Sequence, residues 1–168
     1  MLFRSPCTYD GTSYKLQTEV FTSPHEAIER ARHTAFDLVL SDFRMPEMDG
    51  VAFLKEIRRI QPNAARMILS GYADLNGLIG AINEAQIYRF VSKPWNDYEL
   101  VSAIAQALAY HDLALENQHL ADEARVASGR MTAEELALKE LEAQEPGITQ
   151  VTWGPDGSVI LDDESLPR

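Results

Sequence analysis

The amino-acid sequence predicts an α/β fold, a doubly wound parallel sheet with helices on both faces, followed by an acidic helical extension. From residue 15 onward, short apolar runs typical of buried strands alternate with segments whose apolar residues recur at helical spacing. The short connections between them favour a parallel sheet with crossover helices. Charge marks a boundary, because residues 1–111 carry 13 acidic and 11 basic side chains whereas residues 112–168 carry 13 acidic and 4 basic ones. We therefore expect a globular domain over 1–111, a helical tail over 112–147 and a terminal segment over 148–168.

The composition argues against several classes of protein. A hydrophobic content of 45% is enough to build a core, whereas a net charge of −11 argues against binding to nucleic acid or to an anionic membrane. Cys7 is the only cysteine, which excludes an internal disulfide and a cysteine zinc site. The histidines show no spacing typical of metal ligands; they are His25, His33, His111 and His119. Because no stretch approaches 18 apolar residues and no signal-peptide pattern is present, we expect a cytoplasmic protein.

Four segments are predicted to be strands. KLQTEV at 15–20 alternates polar and apolar residues and is predicted to be half-buried. The other three are nearly continuous apolar runs, as expected for strands buried on both faces of a parallel sheet. They are FDLVLSD at 36–42, RMILS at 66–70 and IYRFVS at 87–92.

Helices are predicted from capping signals and apolar stripes. The expected helix starts are Ser23 with Pro24 and a capping-box Glu26, Asp49, Asp74, and Asn96 with a capping-box Glu99. The last of these helices continues well past residue 111. Gly129 is predicted to end it, and a capping box from Thr132 to Glu135 opens a second tail helix that stops before Pro146. A Gly-Pro-Asp-Gly turn within 148–161 indicates a small β-hairpin.

The topology brings three reactive side chains together. In open parallel sheets the site lies beyond the carboxyl ends of the strands, where the sequence places Asp42, Ser70 and Lys93. A carboxylate, a hydroxyl and an ammonium suit phosphoryl transfer to the carboxylate, because the cation and the hydroxyl offset the accumulating negative charge. Each residue alone has a plainer interpretation, as a helix cap, a turn residue and a solvated lysine.

Three motifs resemble one family. DFRMPEMDG at 42–50, SGYAD at 70–74 and FVSKPW at 90–95 closely resemble the receiver domains of two-component response regulators. The resemblance covers roughly residues 15–110 and implies the flavodoxin-like, CheY-like fold with strand order 2-1-3-4-5.

The resemblance also implies roles for individual residues. Asp42 resembles the phosphoacceptor, Lys93 the lysine of the site, and Ser70 the hydroxyl residue that binds the phosphoryl group and shifts on activation. Phe90 sits where the family has a switch aromatic, although plain core packing is the alternative. Arg44 would offer a backbone carbonyl to Mg²⁺, and Lys93-Pro94 resembles the family's cis-peptide turn.

The sequence departs from the family at its N-terminal end. Receivers begin with an apolar strand and an acidic pair that holds Mg²⁺, and no such pattern precedes residue 15. MLFR at 1–4 resembles the end of the first receiver helix and SPCTYDGTS at 5–13 a long loop, with Asp10 as a turn residue. We therefore expect weak or impaired Mg²⁺ binding and an unstable sheet that aggregates or borrows a strand from a neighbouring chain.

The resemblance implies a switch and not an enzyme. A sensor histidine kinase or phosphotransfer protein would phosphorylate Asp42, and the signal would pass to a downstream protein or to self-association, with no nucleic acid or membrane as partner. The alternative is a docking or dimerisation module that needs no phosphorylation. A phosphatase of the haloacid-dehalogenase type is set aside, since Arg44 stands where that chemistry needs a second aspartate. Heptad spacing from Leu108 to Leu115 and from Leu113 to Leu120 fits a homodimer through the C-terminal helix, but it covers only two repeats, so a solvated acidic helix remains the alternative.

The segment YRFVSKPW at 88–95 also resembles receivers attached to HD-GYP phosphodiesterases or to regulators of transcription, and neither output domain is recognisable in this sequence.

Overall fold

The computed structural model describes residues 7–71, 84–148, 152–153 and 159–160. The strands are β1 Cys7–Tyr9, β2 Thr12–Tyr14, β3 Leu38–Asp42, β4 Ala65–Ser70, β5 Arg89–Ser92, β6 Thr152–Trp153 and β7 Val159–Ile160. The helices are α1 Pro24–His33, α2 Gly50–Ile60, α3 Asp97–Ala127 and α4 Ala133–Gln144. The predicted helix after Asp74 and the segment MLFR lie outside the described residues.

A parallel sheet in the order β3-β4-β5 forms the centre of the described structure. Its strands fall within the segments predicted at 36–42, 66–70 and 87–92, with Ala65 added at the start of β4. The register pairs Asp42 with Leu69 and Ser70 with Ser92, so these strands end level with one another.

Helices cover both faces of this sheet, as predicted. Met67 and Ile68 are adjacent on β4 and fully buried, and they point to opposite faces because side chains alternate along a strand. Met67 packs in a cluster with Leu100 and Ile104 of α3, whereas Ile68 packs with Leu54 of α2 and with α1. Burial of each such side chain contributes about 1.5–3 kcal/mol.

Strand β3 is less buried than the sequence predicts. Leu38, Val39 and Leu40 are only half-buried, although their run of apolar residues resembles a strand covered on both faces. In the described part of the chain, β3 pairs only with β4 and stands at the edge of the sheet. An edge strand has one open flank, which explains the partial exposure.

The N-terminal region differs from the prediction. Residues 15–20 have no assigned secondary structure, so the predicted strand KLQTEV is wrong. A strand needs a neighbour for its backbone hydrogen bonds, and no described segment pairs with residues 15–20.

The residues predicted as a long loop instead form the antiparallel hairpin β1-β2. Asp10 and Gly11 have φ values of 48° and 79°, as an Asp-Gly hairpin turn requires, which confirms Asp10 as a turn residue. The hairpin does not extend the sheet; it packs on α3, where the Tyr14 hydroxyl donates to Asp112 Oδ2 at 3.0 Å.

Two predicted helix caps form as expected. The Asp49 carboxylate accepts a hydrogen bond from the Ala52 backbone N–H at 2.8 Å at the start of α2. At the start of α4, Thr132 and Glu135 make the complete reciprocal capping box.

Two predicted capping boxes are wrong, although the helices begin at the expected places. The Asn96 side chain accepts a hydrogen bond from the backbone N–H of Tyr98, the second residue of α3, at 2.8 Å. A capping box needs this bond to come from the third residue, Glu99, so no box is formed. Ser23 occupies the cap position of α1 without a side-chain cap hydrogen bond, so Glu26 completes no box there.

The tail is a helical hairpin. Helix α3 runs without a break across residue 111 to Ala127, and Gly129, with φ of 70°, follows its end as predicted. Helix α4 turns back along α3 and is held there by Asp122 of α3, which pairs with Lys139 of α4.

The small β-hairpin that the sequence predicts within residues 148–161 is confirmed by the antiparallel pair β6-β7. None of the described helices has an apolar stretch long enough to span a membrane.

Candidate functional site

Asp42 and Lys93 form an ion pair at the carboxyl end of the sheet. Lys93 Nζ donates to Asp42 Oδ2 at 2.5 Å, although the two residues stand 51 positions apart in sequence. Asp42 is the last residue of β3, and Lys93 directly follows β5. The Lys93 backbone N–H donates to the Ser70 carbonyl at 2.8 Å, which fixes the lysine beside the end of β4. The peptide bond between Lys93 and Pro94 is cis, as expected.

The Asp42 carboxylate is open to a reaction partner. Its side chain is 40% exposed, so a phosphoryl donor can reach it, and Lys93 at 37% exposure is also accessible. A carboxylate beside an ammonium remains a nucleophile while the cation reduces the repulsion from an incoming phosphate.

Gly50 sets the position of Asp42, a role that was not predicted from the sequence. It is the first residue of α2, and its N–H donates to the Phe43 carbonyl at 2.8 Å. A Cβ at this position would lie 2.1 Å from the carbonyl oxygen of Asp42, closer than atoms can approach. The start of α2 therefore rests directly on the backbone of Asp42. The position of Gly50 in the Met-Asp-Gly part of the motif could have indicated a role. The sequence, however, does not show which part of the backbone packs against a glycine.

Ser41 is a second residue whose contribution to the site was not predicted from the sequence. Its buried hydroxyl donates to the Asp42 carbonyl at 2.9 Å and lies 3.6 Å from Met45 Sδ. These contacts attach the loop that follows β3 to the end of the strand, so they help to hold Asp42 in place.

Ser70 ends β4, next to the strand that bears Asp42. Its side chain is buried, and its hydroxyl donates to the Gly71 carbonyl at 3.1 Å. A hydroxyl bonded to a neighbouring carbonyl can exchange that acceptor for another by rotating about one bond. The structure therefore places Ser70 at the same end of the sheet as Asp42 and Lys93, as predicted from topology.

Phe90 lies apart from these three residues. It is on β5 with 43% of its surface exposed, so core packing does not account for it. Its ring lines an open groove of about 370 Å³ between β5 and the first turns of α3, together with Tyr98 and Ser102. An aromatic ring in an open groove is available to a partner or can turn inward when space is made for it.

The described residues do not complete a magnesium site. Mg²⁺ needs near-octahedral oxygen ligands, and within residues 7–71 and 84–148 no group of three or more acidic, histidine or cysteine side chains could hold a metal ion. Asp42 and the Arg44 carbonyl would supply two ligands, and Asp42 Oδ2 already accepts from Lys93.

Comparison with known proteins points to one family. A family profile described as "Response regulator receiver domain" matches residues 10–105, more than half of the chain. The hydrogenase transcriptional regulatory protein HoxA of Bradyrhizobium diazoefficiens is 37% identical over 93 residues, which are 55% of this chain and 19% of that protein. The chain therefore spans about a fifth of the length of that curated relative.

Solved structures agree with this likeness. The signal receiver domain of an HD domain-containing protein from Pseudomonas fluorescens Pf-5 matches with a TM-score of 0.52 and 39% identity, over 55% of this chain and 68% of that one. A structure named as an adenylate cyclase from Rhodopirellula baltica matches with a TM-score of 0.57 and 31% identity, over 60% of this chain and 75% of that one.

Proposed function

Since the chain belongs to the response regulator receiver family, we propose that it is a phosphoacceptor switch in which Asp42 takes a phosphoryl group from a sensor histidine kinase or a phosphotransfer protein. The ion pair between Asp42 Oδ2 and Lys93 Nζ at 2.5 Å carries this proposal. It puts an accessible carboxylate and a neutralising cation at the end of a parallel sheet, where such chemistry is found.

The chemistry follows from the side chains. One Asp42 oxygen forms a bond to phosphorus while the bond from phosphorus to the donor histidine nitrogen breaks, and that nitrogen retains the electron pair. The product is an acyl phosphate with more negative charge than the carboxylate. Lys93 offsets this charge from its present position, and Ser70 donates a hydrogen bond to a phosphoryl oxygen after it leaves the Gly71 carbonyl. Receiver domains in general hold Mg²⁺ at an acidic pocket; we expect weak binding here.

Movement of Ser70 couples the phosphoryl group to the groove that holds Phe90. When the hydroxyl turns toward the phosphoryl oxygen, the space that it leaves allows the exposed Phe90 ring to move inward. The groove surface then changes shape and alters binding to a downstream protein or to a second copy through the C-terminal helix.

Labelling of Asp42 by a small acyl-phosphate donor tests the proposal. The full chain should form an acid-stable, alkali-labile phosphoprotein, and Asp42→Asn should remove it. Asp37→Asn is the matched control, since Asp37 is an exposed aspartate just before the other end of β3. Equal labelling of wild type and Asp42→Asn would contradict the proposal, and absence of labelling in the wild type would favour a docking module that works without phosphorylation.

A separate variant tests the switch. Ser70→Ala should still be labelled on Asp42, but the environment of Phe90, followed by ¹⁹F NMR of fluorophenylalanine, should respond less to labelling than in wild type. An unchanged response would show that Ser70 does not transmit the signal.

A relative supports a role in signalling, since HoxA is named as a transcriptional regulatory protein. We propose that this chain is cytoplasmic and passes its signal to a downstream protein. We assign the receiver to residues 1–111, the helical tail to 112–147 and the terminal hairpin region to 148–168. The net charge of residues 112–168, which is −9, disfavours direct contact with DNA or an anionic membrane.

A further inference from the structure

We infer that Met45 is a redox-sensitive modification site, at which oxidation of the thioether by a peroxide slows phosphorylation of Asp42. The hydroxyl group of Ser41 links the two residues. This inference rests on the proposed function, because it adds an oxidative control to the same carboxylate.

The Ser41 hydroxyl lies between two acceptors. It donates to the Asp42 carbonyl at 2.9 Å, and it lies 3.6 Å from Met45 Sδ. A hydroxyl has one proton to donate and a thioether sulfur is a weak acceptor, so the Asp42 carbonyl holds the hydrogen bond. Because Ser41 is only 4% exposed, water does not readily replace either acceptor. The direction of this one hydroxyl therefore depends on which acceptor is stronger.

Oxidation reverses the order of the two acceptors. The Met45 sulfur attacks one oxygen of hydrogen peroxide, and the sulfur–oxygen bond forms as the oxygen–oxygen bond breaks. The proton of the transferred oxygen moves to the departing hydroxide, which leaves as water, so the sulfur is oxidised and the peroxide is reduced. The sulfoxide oxygen is a polar acceptor one bond length from the sulfur, and it can reach the Ser41 hydroxyl. The hydroxyl then turns from the Asp42 carbonyl to the sulfoxide.

The surroundings of Met45 favour this exchange. The side chain is partly buried and packs on the apolar cluster that includes Leu54 and Ile68. A polar sulfoxide next to such a cluster needs a hydrogen-bond donor, because an unpaired polar group is costly there. The Ser41 hydroxyl is the donor already beside the sulfur.

The exchange changes the support of the proposed phosphoacceptor. The Asp42 carbonyl also faces the start of α2, where a Cβ on Gly50 would lie 2.1 Å from its oxygen. When the Ser41 hydroxyl turns away, this carbonyl loses a donor and the peptide that follows Asp42 adjusts. The carboxylate shifts with the peptide relative to Lys93, and the reaction slows because it depends on exact placement.

The other methionines of the receiver provide an internal reference and a control. Met67 on β4 is fully buried, so peroxide should not reach it in the folded chain. Met48 is partly exposed like Met45 and packs on the same apolar cluster. In the described part of the chain, however, the sulfur beside the Ser41 hydroxyl is that of Met45 and not that of Met48. Met48 therefore matches Met45 in position and chemistry but lacks the link to Asp42.

Peroxide treatment of the full chain, in a Cys7→Ser background because thiols also react with peroxide, tests the modification site. Mass spectrometry should find an added oxygen on Met45 and none on Met67. The rate at which an acyl-phosphate donor labels Asp42 should fall about threefold or more, as the loss of one hydrogen bond predicts. Methionine sulfoxide reductases with a thiol reductant should restore the rate.

Two variants locate the effect. Met45→Leu keeps most of the volume, and its labelling rate should fall by less than about twofold on treatment, compared with the untreated variant. Met48→Leu should lose as much of its rate as wild type does. Equal loss in Met45→Leu, or oxidation of Met45 in wild type with no loss of rate, would overturn the inference.

A carbonyl signal tests the link through Ser41 without phosphorylation. Asp42 is the only aspartate followed by a phenylalanine, so ¹³C at aspartate carbonyls combined with ¹⁵N-phenylalanine gives one NMR signal, from the peptide between Asp42 and Phe43. This signal should shift when wild type is oxidised and shift much less in Ser41→Ala, which lacks the hydroxyl. An equal shift in Ser41→Ala, or no shift in wild type, would overturn the link. A shift in wild type together with no labelling of the untreated chain would support the link and contradict the phosphoacceptor proposal instead.

Discussion

At the scale of single residues, the proposed phosphoacceptor is held by its backbone rather than by its side chain. The Asp42 carbonyl accepts from the Ser41 hydroxyl at 2.9 Å and is in contact with Gly50 at the start of α2. Its carboxylate, in contrast, is partly exposed and contacts Lys93. The arrangement fixes the Cα of Asp42 and leaves the side chain free to react.

The contact at Gly50 leads to the first prediction. Gly50→Ala should destabilise the protein by about 1–3 kcal/mol and slow labelling of Asp42, because the new methyl group would displace the carbonyl of Asp42 or the start of α2. Urea unfolding and the labelling rate measure the two effects. Gly129→Ala is the control, since Gly129 lies in the tail with φ of 70°, where an alanine is also strained; it should lose stability but label at the wild-type rate. Wild-type labelling by Gly50→Ala would contradict the role given to this glycine.

A buried arginine leads to the second prediction. Arg66 on β4 donates to the backbone carbonyls of Pro62, Ala64 and Ala85, at 3.1, 2.7 and 3.0 Å. Burial, and then the nearby charge of Arg58, lower the pKa of Arg66. The guanidinium nevertheless holds these carbonyls together at the amino end of the sheet.

Arg66→Met should keep most of the volume but leave these carbonyls without a donor, at a cost of roughly 2 kcal/mol or more. Denaturant unfolding measures this cost. Arg59→Met, which removes an exposed arginine from α2, should change the unfolding free energy by less than about 1 kcal/mol. If both variants lose the same unfolding free energy, water molecules replace Arg66 as the hydrogen-bond donors to these carbonyls.

At the scale of elements, a buried carboxylate joins the two tail helices. Hydrogen bonds from Lys139 and then from Arg125, together with their positive charges, hold the pKa of Asp122 below its usual value, and burial opposes them only in part. Helix α4 has no fully buried residue of its own, so this ion pair is a principal contact to α3.

This contact predicts a dependence on pH. Because the folded-state pKa of Asp122 is lowered, its contribution is present above the ordinary pKa of 3.8 and is lost as the pH falls through the lowered value. The protection of the α4 amides, which is their exchange rate compared with that of an unstructured peptide at the same pH, should therefore fall in acid. Asp122→Asn should already lower this protection at pH 7, whereas Glu116→Gln, an exposed acid on the same helix, should not. Slow exchange of α4 in Asp122→Asn at pH 7 would mean that apolar contacts alone hold the two helices.

At the scale of the whole molecule, the sequence was most informative where local rules decide the structure. Continuous apolar runs placed β3, β4 and β5, and parallel topology then brought Asp42 beside Lys93. Local sequence patterns were less reliable where the structure of a segment depends on a partner that is distant in the sequence. KLQTEV alternates as a strand does, but a strand exists only beside a partner, and sequence periodicity does not report the partner. The close approach at Gly50 likewise depends on tertiary contacts.

The open flank of β3 leads to the last prediction. Among the described residues β3 pairs only with β4, its apolar side chains are half-buried, and the hairpin β1-β2 packs on α3 and does not join the sheet. A receiver-type first strand with its acidic pair, appended before residue 1, should therefore occupy this flank. It would supply ladder hydrogen bonds, cover Leu38 and Leu40, and add carboxylates beside Asp42 for Mg²⁺.

The extended chain should melt at least several degrees higher than the original chain, since a ladder partner for a strand of five residues is worth more than about 1 kcal/mol. It should also label faster on Asp42 when Mg²⁺ is present, and this gain should disappear with a chelator. An extension of the same composition in scrambled order is the control, because it lacks the strand pattern and the adjacent acidic pair. If the scrambled extension stabilises the chain equally, or if neither changes melting or labelling, then β3 already has adequate cover on that flank. In that case the segment before α1 performs the function of the family's first strand without pairing with the sheet.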